Sequence, residues 1–416
     1  LLQWIKYINF PKGVDNVARV LIISENIYTS AGRVAGGVVL NGTTIEKIVE
    51  EKDLAQYSEL ETIDARGNMV LPGFIDMHIH GSAGWAVGTA DEGNVRGLSR
   101  FLPSVGVTSY HPTCGGETVD VIKESLRAVA RVKGGDFDGA RILGVHMEGP
   151  FLNPAKKGAF IVKNLQKPSV DLMKSFIEAS EGNIIHVTLA PEVEGAKELI
   201  EYLVDQGIMV AGGHTDATFA ETEQGIEWGV TLSNHTCNAQ RSIHHREPGA
   251  LGAYLLNDDV YCELICDFFH VHPEMVRLVM RLKGPDKVAM ISDSIIGAGL
   301  KPGKYEFSGK TINIDAEGWS KLPDGTISGS TKSMAFGIKN MVELGYSIED
   351  VSKMASFVPA KLSKVEDRKG SIGEGKDADL VIMDKDFNVV RTYVEGKLAY
   401  DVNDEQPLAN PVLAAN

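Results

Sequence analysis

GFIDMHIH, residues 73–80, is a short apolar run that closes on two histidines. A run of this length, rich in isoleucine and phenylalanine, reads as a buried β-strand. His78 and His80 stand two residues apart, so on an extended chain their side chains share a face. Seven runs of the same kind follow: GVTSYHPT (106–113), RILGVHMEG (141–149), IIHVTLAPE (184–192), IMVAGGHT (208–215), VTLSNHT (230–236), YCELICD (261–267) and KVAMISD (287–293). Amphipathic stretches of helical length separate them. Eight strand–helix units in series predict an α/β fold, a closed parallel (β/α)8 TIM barrel over residues 71–360. Barrel enzymes place their chemistry at the C-terminal rim of the strands.

Both flanks of this region are β-rich. Residues 1–70 carry VARVLIIS (17–24), GGVVLNG (36–42), TTIEKIVEE (43–51) and ETIDARG (61–67); residues 361–416 carry DADLVIMDKDFNVVRTYVEGKLAYD (377–401). Asn41-Gly42 and Glu395-Gly396 are hairpin turn signals. Neither flank is long enough to bury a core alone, which predicts that the two ends pair as one small β-sandwich domain. There is no internal repeat and no low-complexity linker.

The net charge of -15 argues against a nucleic-acid partner, which would want a basic face. It leaves room for a phosphorylated small molecule, which needs only a few local cations. No apolar run approaches the roughly 20 residues that span a bilayer, so no membrane association is expected. LLQWIKYINFPKG (1–13) is interrupted by Lys6 and lacks a long apolar region with a small-residue cleavage site, so it does not read as a leader. The four cysteines, Cys114, Cys237, Cys262 and Cys266, form no CxxC pair and suit reduced, cytoplasmic thiols.

The strand ends carry the chemistry. Besides His78 and His80, the third run ends in Glu148, the fifth in His214, the sixth in His235 and the eighth in Asp293. Closing the barrel gathers four imidazoles and two carboxylates around one point. That set can hold one or two divalent ions, with Glu148 as the natural bridge. Imidazole with carboxylate suits zinc, iron, manganese or cobalt, and the ligand set does not choose between them; zinc or iron is expected first. Cys237, two residues past His235, is a softer candidate ligand, although a small packed core residue accounts for it as well. A divalent ion lowers the pKa of water toward about 7, and a carboxylate such as Asp293 can take the proton and return it to a leaving amine. His270, just past the seventh run, and Arg246, in the loop after the sixth, are candidate substrate contacts. A guanidinium presents a planar fork that fits phosphate.

GFIDMHIHG, GVHMEGPFLNPAKKGAF (144–160), VAGGHTDAT (210–218), NHTCNAQ (234–240), REPGALGA (246–253), FFHVHPE (268–274), ISDS (291–294) and DGTISGS (324–330) together resemble, in order, the signatures of the N-acetylglucosamine-6-phosphate deacetylase family of the amidohydrolase superfamily. The resemblance implies a cytoplasmic, metal-dependent amide hydrolase that takes acetyl from a phosphorylated amino sugar. It implies that Glu148, His214 and His235 hold the metal common to the family, and that His78 and His80 add a second site. Asp293 becomes the general acid and base. Ala159, Asn238 and Ala239 become substrate contacts, the last two presenting polar groups to the phosphate. Arg246 would reach the substrate phosphate of a neighbouring subunit, which implies a homodimer, and His270 would contact the sugar phosphate.

Three positions depart from the family pattern. Phe160 stands where a histidine polarises the amide carbonyl, Gln240 where the motif has methionine, and His111 where a leucine precedes Pro-Thr. Substitutes for the missing histidine are the second ion that His78 and His80 could hold and His111, placed at the rim of the second strand, although a packed loop histidine accounts for His111 as well. The alternative readings are a deacetylase of another N-acyl amino-sugar phosphate, such as the galactosamine epimer, and a non-catalytic sugar-phosphate-binding paralog. A complete ligand set with Asp293 weighs against the paralog. A cyclic-amide hydrolase with a carboxylated lysine is disfavoured, because the fourth run offers no lysine.

Overall fold

The computed structural model describes residues 19–307, 310–404 and 408–410. The leader reading of residues 1–13, and Val17 and Ala18 of the first expected strand, lie outside the described residues.

The barrel strands are Phe74–Ile79, Val107–Cys114, Arg141–Ile142 continued by Val145–Glu148, Ile184–Leu189, Met209–Gly212, Val230–Ser233, Tyr261–Ile265 and Val288–Ile291. Each lies within its expected run or one residue beyond it. Neighbours pair in parallel, from the first strand on the second through to the seventh on the eighth. Closure between first and eighth is made just past the strand ends. The Asp293 amide donates to the His78 carbonyl (2.9 Å), and the His80 amide to that of Ser294 (2.8 Å). Lower down, the Ser292 hydroxyl donates to the buried Asp76 carboxylate (2.5 Å).

The helices Glu92–Phe101, Val119–Lys133, Val170–Ala179, Ala196–Asp205, Phe219–Trp228, Gly249–Leu256, Pro273–Lys283 and Met334–Glu343 follow the strands in turn. Val119–Lys133 shows why they dock. Ile122, Leu126, Val129 and Ala130 recur at helical spacing and are buried, while Lys123, Glu124 and Arg127 are not. Truncating Leu126 to alanine would cost about 2–5 kcal/mol. The barrel floor is apolar: Ile75, Met77, Ala211, Leu232, Ile265 and Ile291 pack with Val358 and Ala360 of the short helix Val358–Leu362.

The two chain ends meet in one eight-stranded sheet. Its N-terminal part is Val20–Thr29, Gly32–Asn41, Thr44–Glu50, Glu61–Asp64 and Met69–Pro72; its C-terminal part is Leu380–Met383, Val389–Val394 and Lys397–Asp401. The seam is antiparallel, with Val381 opposite Leu71. Ile22, Val38, Val70, Leu380 and Ile382 form its core.

One element has no counterpart in the strand pattern of the sequence. Between the eighth barrel strand and its helix, Gly303–Phe307, Lys310–Ile314 and Ser320–Lys321 form a three-stranded antiparallel sheet. Tyr305, Ile312 and Ile314 pack it on Ile295 and Ile296 at the barrel mouth. Among the described residues no helix is long and apolar enough to cross a membrane.

Candidate active site

Six side chains converge at the C-terminal rim as two groups whose ligand atoms lie within 4.8 Å of one another: His78, His80 and Asp293, and Glu148, His214 and His235. Glu148 stands between them. Its Oε2 lies 3.1 Å from His80 Nε2 and 3.5 Å from His78 Nε2. Its Oε1 lies 3.1 Å from His214 Nε2 and 3.0 Å from His235 Nε2. Asp293 Oδ1 is 3.5 Å from both His78 Nε2 and His80 Nε2. Converging nitrogens and carboxylate oxygens, all aimed at the space between them, form a donor set that fits divalent ions.

Surrounding groups fix the ring orientations. His214 Nδ1 donates to the Lys156 carbonyl (2.8 Å), which leaves Nε2 to face Glu148. His78 Nδ1 meets the Oε2 of Glu263 at 3.1 Å, and that oxygen also accepts the His235 amide (3.1 Å). Glu263 is fully buried, and its place in the middle of the apolar YCELICD run was the available signal. Burial works to lower the His78 pKa, but the Glu148, Asp293 and Glu263 carboxylates hold it well above the usual imidazole value. Burial likewise works to raise the Glu148 pKa, and the surrounding histidines hold it well below the usual carboxylate range. Each charge is stabilised by its neighbours, so the centre acts as one electrostatic unit.

The rim opens into a cavity of about 450 Å³. His80, Glu148, His214, His235 and Asp293 line it, and so do the expected substrate residues Ala159, Asn238, Ala239 and His270. His270 Nδ1 is held by Asp267 Oδ2 (2.7 Å), which also accepts the Ser330 hydroxyl (2.9 Å). Burial works against a charged His270, but Asp267 raises its pKa above the ordinary value. Arg246 is not brought to the cavity of its own chain. It is exposed on its loop, with Nη1 2.7 Å from His245 Nε2. Cys237 joins neither ligand group; burial pushes its thiol up to about 12.

The three departures fall in different places. Phe160 does face the cavity, its ring edge-on to His214 with centroids 4.9 Å apart. Gln240 is buried and braces the loop, donating to Ser233 Oγ and the Asn234 carbonyl at 3.0 Å each. His111 corrects the expectation made for it. It is fully buried inside the barrel, 2.8 Å from Ser363 Oγ, and burial pushes its pKa down to about 3. The second strand runs on to Cys114, and Gly115 and Gly116 are its cavity-lining residues, so His111 sits below the rim. It cannot donate to a substrate in the cavity.

A family model described as the amidohydrolase family matches residues 69–399. The N-acetylglucosamine-6-phosphate deacetylase of Bacillus subtilis (strain 168) is 35% identical over 385 residues, covering 92% of this chain and 96% of that protein. The N-acetylgalactosamine-6-phosphate deacetylase of Escherichia coli O157:H7 is 31% identical over 368 residues, covering 88% and 94%. The crystal structure of N-acetylglucosamine-6-phosphate deacetylase from Pasteurella multocida superposes with a TM-score of 0.86 at 30% identity, covering 91% of this chain and 99% of that one.

Proposed function

The chain belongs to the amidohydrolase family, and from that premise we propose that it hydrolyses the acetamide of N-acetylglucosamine 6-phosphate to glucosamine 6-phosphate and acetate. The observation that carries this reading is the pair of ligand groups joined by Glu148, with Asp293 facing the same cavity. Bound divalent ions, zinc or iron before manganese or cobalt, supply Lewis acidity and a water of lowered pKa there. Asp293 takes the proton of the attacking water as the carbon–oxygen bond forms. It returns that proton to the nitrogen as the carbon–nitrogen bond breaks. Asn238, Ala239 and His270 orient the phosphorylated sugar, and the apolar ring of Phe160 keeps water from the His214 side.

The exposed Arg246 supports a homodimer in which it reaches the neighbouring subunit's substrate. The four free cysteines support a cytoplasmic setting. The galactosamine epimer is the second reading, favoured by the Escherichia coli relative at 31% identity. The test is acetate release by metal-replete protein from both epimers, each with and without the 6-phosphate. Turnover of N-acetylglucosamine 6-phosphate above the other three is expected. Preference for the galactose epimer would select the second reading, and no acetate from any sugar would leave a binding protein.

A further inference from the structure

We propose that Glu263, in the middle of the seventh strand, is a positioning residue that makes His78 a metal ligand and so sets how tightly the group of His78, His80 and Asp293 holds an ion; this rests on the metal reading of the rim cluster. Glu263 belongs to the strand Tyr261–Ile265 and is fully buried, with Cys262, Leu264 and Ile265 buried around it. Side chains two apart on a strand share a face, so Glu263 points into the barrel on the side of Ile265, which packs in the apolar floor. A carboxylate in that place carries a desolvation cost that an apolar side chain would not. Its contacts all lead to the rim cluster. Oε2 meets His78 Nδ1 at 3.1 Å and accepts the His235 amide at 3.1 Å. One oxygen therefore ties the ring of a ligand in one group to the backbone of a ligand in the other.

Packing places the His78 ring but does not choose where its proton sits. His146 stands edge-on to the ring with centroids 4.5 Å apart, and the His235 ring lies 5.5 Å away. His78 Nε2 faces Glu148 Oε2 and Asp293 Oδ1 at 3.5 Å each. A neutral imidazole carries one proton, and the nitrogen without it is the one that binds a metal. With no acceptor behind the ring, that proton would sit on Nε2, where two carboxylates accept it, and His78 would be a donor instead of a ligand. Glu263 draws the proton to Nδ1 and leaves the Nε2 lone pair to the ion. The other group is supported differently: His214 Nδ1 donates to the Lys156 carbonyl (2.8 Å), and His235 Nδ1 is buried without a hydrogen-bond partner.

Glu263→Gln is the discriminating change. The amide keeps the shape and an oxygen for the His235 amide, but it is a weaker acceptor for the His78 ring. Its NH2 would take the place of Oε1, which has no hydrogen-bond partner and lies 3.9 Å from the unpartnered Nε2 of His186. Metal-stripped full chains are equilibrated against a zinc series, and bound zinc is counted by elemental analysis for wild type, Glu263→Gln, Glu263→Asp, His78→Ala and the double variant His78→Ala/Glu263→Gln. Wild type should take up two ions. Glu263→Gln should weaken one of them roughly ten- to a hundredfold and leave the other unchanged, and Glu263→Asp, which keeps the charge, should fall between. The double variant should hold zinc as His78→Ala does, because Glu263 acts through that ring. Equal weakening of both ions, no change in either, further loss in the double variant, or a wild type that takes up fewer than two ions would overturn the proposal. A wild type that holds two ions yet releases no acetate would sink the deacetylase reading alone. An active two-ion enzyme whose zinc binding is indifferent to Glu263→Gln would sink this one alone.

Discussion

The barrel rim and the end sheet both need sharp changes of chain direction, and they make them differently. At the rim, left-handed backbone falls on glycines such as Gly116 (φ 90°) and Gly158 (φ 54°) but also on many residues with side chains: His214 (φ 45°), His235 (φ 26°), Cys237 (φ 82°), Ala239 (φ 49°) and Asp293 (φ 47°). In the end sheet it falls mainly on glycine, at Gly42 (φ 63°), Gly67 (φ 83°) and Gly396 (φ 75°), with Phe387 and Glu395 beside them. Such a conformation costs a non-glycine residue about 1–3 kcal/mol. Glycine would relieve the strain, but it brings no imidazole or carboxylate. The rim therefore holds its ligands on strained backbone because the aim of the side chains is what matters there. The end sheet needs only the turn.

Substitutions can break this contrast. The largest effect is expected for Asp293→Asn. Asparagine tolerates left-handed backbone, so the fold should persist while the proton acceptor is lost. A fall in kcat of about 10²–10⁴ is expected, with little change in Tm; a large Tm drop with near-normal kcat would place Asp293 in the architecture instead. Next is Lys369→Met at the base of the end sheet. Lys369 is fully buried, with Asp379 at 2.7 Å and Asp377 at 2.8 Å. Removing one partner of a buried ion pair costs about 3–5 kcal/mol, so denaturant unfolding should show a loss of that size with metal content unchanged.

Gly396→Ala sharpens the glycine side. A Cβ there would sit 1.9 Å from the Gly42 carbonyl oxygen at φ +75°, so a loss of about 2 kcal/mol is expected from strain and displacement. Unfolding should register it and the metal centre should not. The smallest effect is expected for His111→Leu. That substitution removes a bond to Ser363, whose hydroxyl still donates to the Pro359 carbonyl (2.7 Å), and also removes a buried Nδ1 without a partner. The two nearly offset, so stability should change by less than about 1 kcal/mol and kcat should hold. A marked loss of kcat would return His111 to the catalytic machinery.

Much of this was legible in the sequence because a barrel repeats one pattern. Apolar runs ending in His78, His80, Glu148, His214, His235 and Asp293 located the strands and brought the candidate ligands together, since a parallel barrel puts every strand end at one mouth. His111 was misplaced because its height depends on where its strand stops, and Val107–Cys114 runs past it. The sheet bearing Lys310 was hidden because it interrupts the strand–helix alternation with short strands of two to five residues. Met69–Pro72, four residues long, was too short to separate from the barrel strand that follows it. Glu263 meets His78 and the His235 amide only on folding, whereas Asp267 holds His270 from three residues away and meets the Ser330 hydroxyl on folding.

The central claim is that the rim cluster performs metal-dependent deacetylation, and stripping and restoring the metal tests it most directly. Protein treated with chelator and dialysed should release no acetate from N-acetylglucosamine 6-phosphate. Adding back zinc or ferrous iron should restore release in wild type, and His214→Ala should recover neither bound metal nor activity. Acetate release that is indifferent to chelation, with His214→Ala retaining full activity, would contradict the account.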